Sequence, residues 1–153
     1  MGQDIGNVML KFSKINDKEY HLDIPSTFEV LEVLLSYVED ILELTPLDSN
    51  QSYNVIIAIS EIVSNAIEHG NKFDKNKEVK MDVFILDDKI QFKIRDFGKG
   101  FNPAEIENPL DSDNLLKSDG RGIFIARELV DKIEYIFHKD GTETIVTKFY
   151  EHK

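Results

Sequence analysis

Apolar positions recur along this chain with two different periods. Val8 to Ile15 alternates loosely and predicts a strand, with Tyr20 to Ile24 as its hairpin mate around Asn16-Asp17-Lys18. From Thr27 to about Leu44 the spacing becomes helical, and Val30, Leu31, Leu34, Leu35, Val38, Ile41 and Leu42 share one broad face. Ser26 is the expected cap of this helix, with Glu29 reaching back as its capping-box partner. Thr45-Pro46-Leu47-Asp48 breaks the pattern. A second helix then runs from about Ser49 to His69, with Ile56, Ile59, Val63, Ala66 and Ile67 as its stripe. Gly70 falls where that helix would end, at a position that favours positive φ.

Beyond the polar turn 71–77, Val79 to Leu86 reads as a strand and Asp87-Asp88 as a tight turn. In the next strand, Lys89 to Asp96, residues Ile90, Phe92, Ile94 and Asp96 fall on one face. Asp96 therefore stands where an apolar side chain should continue the buried row, at a cost unless donors reach it. A long polar connection, 101–119, precedes a third helix that opens at Gly120-Arg121-Gly122 and turns Ile123, Phe124, Ala126, Arg127 and Val130 inward. Ile133 to His138 and Thr142 to Tyr150 form a last hairpin around Asp140-Gly141. Strands, two helices, two strands, a helix and two strands make an α+β domain over 1–153: a two-layer sandwich of a mixed sheet with helices on one face.

Composition narrows the classes. At 153 residues and 41% hydrophobic, the chain suits one core. No apolar run is long enough for a transmembrane helix, and the N-terminus lacks a secretory pattern, so a cytoplasmic protein with no membrane partner is expected. With no cysteine, disulfides and thiolate metal sites are excluded. A net charge of −11 without a dense basic cluster disfavours direct nucleic-acid binding. The same charge repels a triphosphate, so any such site needs a cation and directed backbone N–H groups.

Four features carry candidate chemistry. Glu61 and Asn65 stand one turn apart on one helical face, as a solvated stripe or as holders of a divalent cation and an acceptor hydroxyl. Asp96 is either the head of an Asx turn or an acceptor for the exocyclic amine of adenine. Gly98-x-Gly100 follows it, with Phe101 placed to pack against a base. Gly120-Arg121-Gly122 sits at a helix N-terminus, where free N–H groups and the dipole favour phosphate. Either Gly-x-Gly alone is an ordinary turn signal.

In this order the set resembles the histidine-kinase-like ATPase superfamily. Glu61-x-x-x-Asn65 looks like its N box, Asp96-x-Gly98-x-Gly100 its first glycine box and Gly120-Arg121-Gly122 its second. Asn65 to Asn71, together with Gly120 to Ile123 and Asp131 to Tyr135, resembles the anti-sigma-factor serine/threonine kinases of partner-switching pathways. The short Gly-Arg-Gly-Ile form and the lack of an upstream helical hairpin with a phosphoacceptor histidine argue against a sensor-kinase fragment; His69 reads as structural or pocket-lining.

The resemblance implies the Bergerat (histidine-kinase-like) ATPase fold, ATP and Mg²⁺ as cofactors, and a homodimer. It implies Asn65 on the metal, Asp96 on the adenine amine, and Gly98, Gly100 and Phe101 around the base. The segment 101–119 would be the ATP lid, with Gly120, Arg121, Gly122 and Ile123 on the phosphates. Glu61 would act as the base toward a Ser or Thr of an anti-anti-sigma (STAS) protein, and a sigma factor would be the second partner. Two alternatives stay open: a module that binds ATP and partners without phosphotransfer, and an interaction domain with no nucleotide site.

Overall fold

The structure, a computed structural model, describes residues 2–5, 8–98 and 125–151. Gly100, Phe101, Gly120, Arg121, Gly122, Ile123 and Phe124, and the segment 101–119 expected as the lid, lie outside these residues.

Among the described residues, seven strands form one sheet in the order β1-β2-β3-β4-β5-β7-β6. They are β1 (Gly2–Ile5), β2 (Val8–Asn16), β3 (Glu19–Pro25), β4 (Glu78–Ile85), β5 (Lys89–Arg95), β6 (Lys132–His138) and β7 (Gly141–Phe149). Each lies within a residue or two of its expected place, except β1, which the alternation did not mark. A mixed sheet was expected, but every described pair is antiparallel. The reason is the connection between β3 and β4. It contains two helices, α1 (Leu31–Leu42) and α2 (Ser49–Asn65), so the chain returns to the end of the sheet it left. A single crossover helix would have delivered it to the other end and made a parallel pair.

Both helices pack on one face of the sheet. Leu34, Val38, Ile41 and Leu42 of α1 meet Val55, Ala58, Ile59, Ile62 and Val63 of α2 over Leu22, Ile24, Met81, Val83, Ile90, Phe92, Ile94 and Val146. The strict alternation of buried and half-buried residues in β3, β4 and β5 is the pleat of a sheet covered on that side. On the other face, His21 bridges two strands: Nδ1 lies 2.6 Å from Asp82 and Nε2 2.9 Å from Asp23, which also accepts from Lys80 at 2.8 Å.

The helix ends differ from the expected ones. Ser26 does not cap α1. Thr27 caps a 3-10 turn, Phe28–Val30, that leads into it, while Ser26 is buried and bonded elsewhere. α2 starts at a full capping box: Gln51 N donates to Asp48 at 2.8 Å, and Asp48 N donates to the Gln51 side chain at 3.0 Å. It ends in one turn of π-helix, Ala66–Gly70, closed by Asn71 N donating to Ala66 O at 2.8 Å. The positive φ expected at Gly70 falls instead on Lys72 (52°) and Phe73 (58°), because the wide turn postpones the reversal of the chain. In the third helix, α3 (125–129), Ala126 is buried, as is Val130 just after its end. Arg127, expected inward, is exposed, with its guanidinium 5.9 Å from the Tyr135 ring. Position 127 lies about 100° round the helix from 126, at the edge of the buried stripe, where a long side chain reaches solvent.

Candidate functional site

The C-terminal end of α2, the end of β5 and the start of β7 converge on Asp96. This carboxylate continues the inward row of β5 and is only 8% exposed. Its Oδ1 accepts from Gly98 N at 3.3 Å and from Thr142 N at 3.2 Å, and its own N–H donates to Thr142 O at 3.0 Å. The bond to Gly98 is the Asx-turn geometry, so that local reading holds as well. The second donor comes from 46 residues away. Burial raises the Asp96 pKa above its ordinary 3.8, against the two backbone N–H groups that favour the charge.

The other carboxylate oxygen faces Gly70. A Cβ on Gly70 would stand 2.5 Å from Asp96 Cγ and 2.6 Å from Oδ2. Gly70 therefore serves close approach rather than an unusual backbone angle. Gly98 is pressed on the same spot, where a Cβ would overlap the Gly70 carbonyl. Gly141, at φ 140°, leaves room for the Asp96 carbonyl, which accepts from Arg95 Nη1. Arg95 also pairs with Asp140 at 2.6 Å and lies 4.4 Å from the centre of the Phe97 ring.

Asn65 ends α2, five residues before Gly70 and joined to it by the π-helical turn. Its Nδ2 is buried and, among the described residues, has no hydrogen-bond partner. Such an atom is costly unless a ligand completes it. A half-turn of the carboxamide puts Oδ1 at the same place. Glu61, one turn earlier on the same face, is half-buried. His69 is exposed and lies 3.1 Å from Glu68, as suits a surface ion pair rather than a nucleophile.

Of the expected site residues, Asp96 and Gly98 are thus in contact, and Asn65 and Glu61 lie on the helix that ends against them. Three participants went unforeseen. Thr142 and Gly141 were read only as hairpin residues, although Asp140-Gly141 marked the turn that delivers them. Asn71 closes the family-like motif and opens the polar turn 71–77 with no role expected in the site, yet the residue is 2% exposed and its Oδ1 accepts from Phe97 N at 2.7 Å. Two clefts, of about 390 Å³ beside Gln51 and Lys148 and about 700 Å³ beside Pro25 and Phe73, contain neither Asn65 nor Asp96.

The sequence profile of the histidine kinase-like ATPase domain matches residues 24–148, and the chain belongs to that family. The serine-protein kinase RsbW of Listeria monocytogenes is 22% identical over 103 residues, covering 63% of this chain and 65% of that protein. The chain thus spans 65% of the length of that kinase, whereas the match to the serine-protein kinase RsbW of Bacillus cereus, 23% identical over 152 residues, covers 94% of this chain and 89% of that protein. The anti-sigma F factor of Clostridium perfringens is 36% identical over 94 residues, covering 60% of this chain and 67% of that protein. Among solved structures, the RsbU and RsbW domains of Rv1364c from Mycobacterium tuberculosis superpose with a TM-score of 0.62 at 19% identity, over 88% of this chain and 33% of that one. That likeness bears on the fold alone.

Proposed function

We propose that this chain is an ATP-binding anti-sigma regulator that phosphorylates a Ser or Thr of an anti-anti-sigma (STAS) partner and binds a sigma factor, as a cytoplasmic homodimer. The observation that carries the nucleotide site is Asp96: a buried carboxylate with Oδ1 held by two backbone N–H groups and Oδ2 turned to a face that only glycine leaves open. A fixed acceptor of that kind fits the exocyclic amine of adenine. The buried carboxamide position of Asn65 that has no partner among the described residues fits a magnesium ion once a half-turn of the amide brings Oδ1 there, since that ion needs few protein ligands when phosphates supply the rest.

Bound Mg-ATP supplies the phosphoryl group. Asp96 orients the purine, Asn65 takes the cation, and Glu61, about 6 Å along the helix from Asn65, accepts the proton of the attacking hydroxyl. By family resemblance, Gly100 and Phe101 complete the base pocket. The segment 101–119 serves as the lid, and Gly120, Arg121, Gly122 and Ile123 hold the phosphates.

The names of the relatives, a serine-protein kinase and an anti-sigma factor, support this reading over a non-nucleotide interaction domain. The test is incubation with γ-labelled ATP, Mg²⁺ and a STAS protein encoded beside the gene. Label on the partner, lost in Glu61→Ala while ATP binding persists, is the expected result. Nucleotide binding with no transfer to any partner would leave a binding module in place of a kinase.

A further inference from the structure

Asn71 uses every polar atom it has. Its backbone N–H closes the π-turn on Ala66 O at 2.8 Å. Its Nδ2 donates to Ser26 Oγ at 2.9 Å, and its Oδ1 accepts from Phe97 N at 2.7 Å. Ser26 Oγ in turn donates to Lys77 O. This single residue therefore ties the end of α2, through its backbone, to the ends of β3 and β5, through its side chain, and by way of Ser26 to the start of β4.

The network has one direction. A serine hydroxyl carries one proton, and here it goes to the Lys77 carbonyl. Ser26 can then only accept from Asn71, so the amide nitrogen faces Ser26 and the amide oxygen faces Phe97 N–H. Aspartate would lack the donor at this position.

Phe97 is the residue between Asp96 and Gly98. Gly98 N is one of the two donors that hold Asp96 Oδ1, and at 3.3 Å it is the longer bond. The geometry of that turn depends on where the Phe97 amide is pinned, and Asn71 pins it. We infer that Asn71 is a positioning residue for purine selection: it holds the 96–98 turn so that the Asp96 carboxylate presents one oxygen to the base. The inference rests on the proposed role of Asp96 as acceptor for the adenine amine. Without the Asn71 acceptor, Phe97 N–H turns to water, Gly98 N–H leaves Oδ1, and the carboxylate is held by Thr142 N alone and rocks about that one bond. A mobile carboxylate discriminates poorly between an amine and a carbonyl at the purine 6-position.

The test compares ATP with inosine triphosphate, which carries that carbonyl, by titration calorimetry with Mg²⁺. Wild type is expected to prefer ATP by about tenfold to a hundredfold, the scale of a charge-assisted hydrogen bond. Asn71→Ala is expected to reduce the preference to about threefold or less. Ser26→Ala cuts the same network at its far end, so it is expected to lower the melting temperature and keep the preference. If the alanine variant does not fold, Asn71→Ser, whose shorter side chain falls short of Phe97 N, takes its place. An ATP preference that survives at position 71 overturns the inference. So does an equal loss in Ser26→Ala, since general loosening would then explain both. A wild type that binds ATP but treats the two nucleotides alike overturns instead the assignment of Asp96, and this inference with it.

Discussion

Asp96→Asn separates two effects of one carboxylate. The asparagine oxygen can accept the same two backbone N–H groups that Oδ1 takes from Gly98 and Thr142. What changes is the charge, and the second oxygen, which becomes an NH₂ facing Gly70. The folded protein raises the Asp96 pKa above 3.8 because burial disfavours the ionised form. The folded state therefore holds this proton to higher pH than the unfolded chain does. Stability falls as pH rises from about 4 through the folded pKa, above which the penalty is complete.

Removing the charge should then raise the melting temperature of the nucleotide-free protein at pH 7, with the gain shrinking toward pH 4. Binding should move the other way. The variant loses a hydrogen bond to a charged acceptor, worth about 1.5–3 kcal/mol, and opposes two buried donors, which costs about 1–3 kcal/mol more. The sum corresponds to ATP binding weaker by about a hundredfold or more. Thermal melts at pH 7 and 4.5 and calorimetric titration with Mg-ATP measure the two sides. ATP affinity within threefold of wild type would refute the placement of the purine. A lower melting temperature at pH 7 would refute the claim that this carboxylate is stored at a cost to the fold.

The remaining expectations concern its surroundings. Gly70→Ala puts a Cβ 2.5 Å from Asp96 Cγ and should destabilise by about 1–3 kcal/mol, with loss of ATP binding; a chemical melt matching wild type would show that the carboxylate can step aside freely. Asp48→Ala removes the capping box of α2 and should cost about 1 kcal/mol, seen as a fall of about 2–4 °C in melting temperature with nucleotide affinity unchanged. His21 is partly buried, which opposes its charge, but hydrogen bonds to Asp82 and Asp23 prevail and raise its pKa above 6.5. Its contribution is fully present below about 6.5 and is lost as pH rises through the folded value, so His21→Gln should destabilise more at pH 6 than at pH 8.5 in urea melts. Equal losses at both pH values would mean that the imidazole acts there only by packing.

The chain itself, read by period, determined the strands from β2 to β7, the two long helices and the faces they bury, because each depends on residues a few positions apart. The inward place of Asp96 followed from alternation alone, and the shared polar face of Glu61 and Asn65 from their four-residue helical spacing. Tertiary structure decided the rest. That Thr142 supplies a donor to Asp96, that Gly70 serves proximity and not a left-handed turn, and that Asn71 joins Ser26 to Phe97 all depend on contacts spanning 26 to 46 residues. The antiparallel pairing of β3 with β4 depends likewise on two helices folding back on each other. Local spacing carries no record of which distant backbone group will meet a side chain. That meeting is set only when the helices settle on the sheet and bring three chain ends to one point.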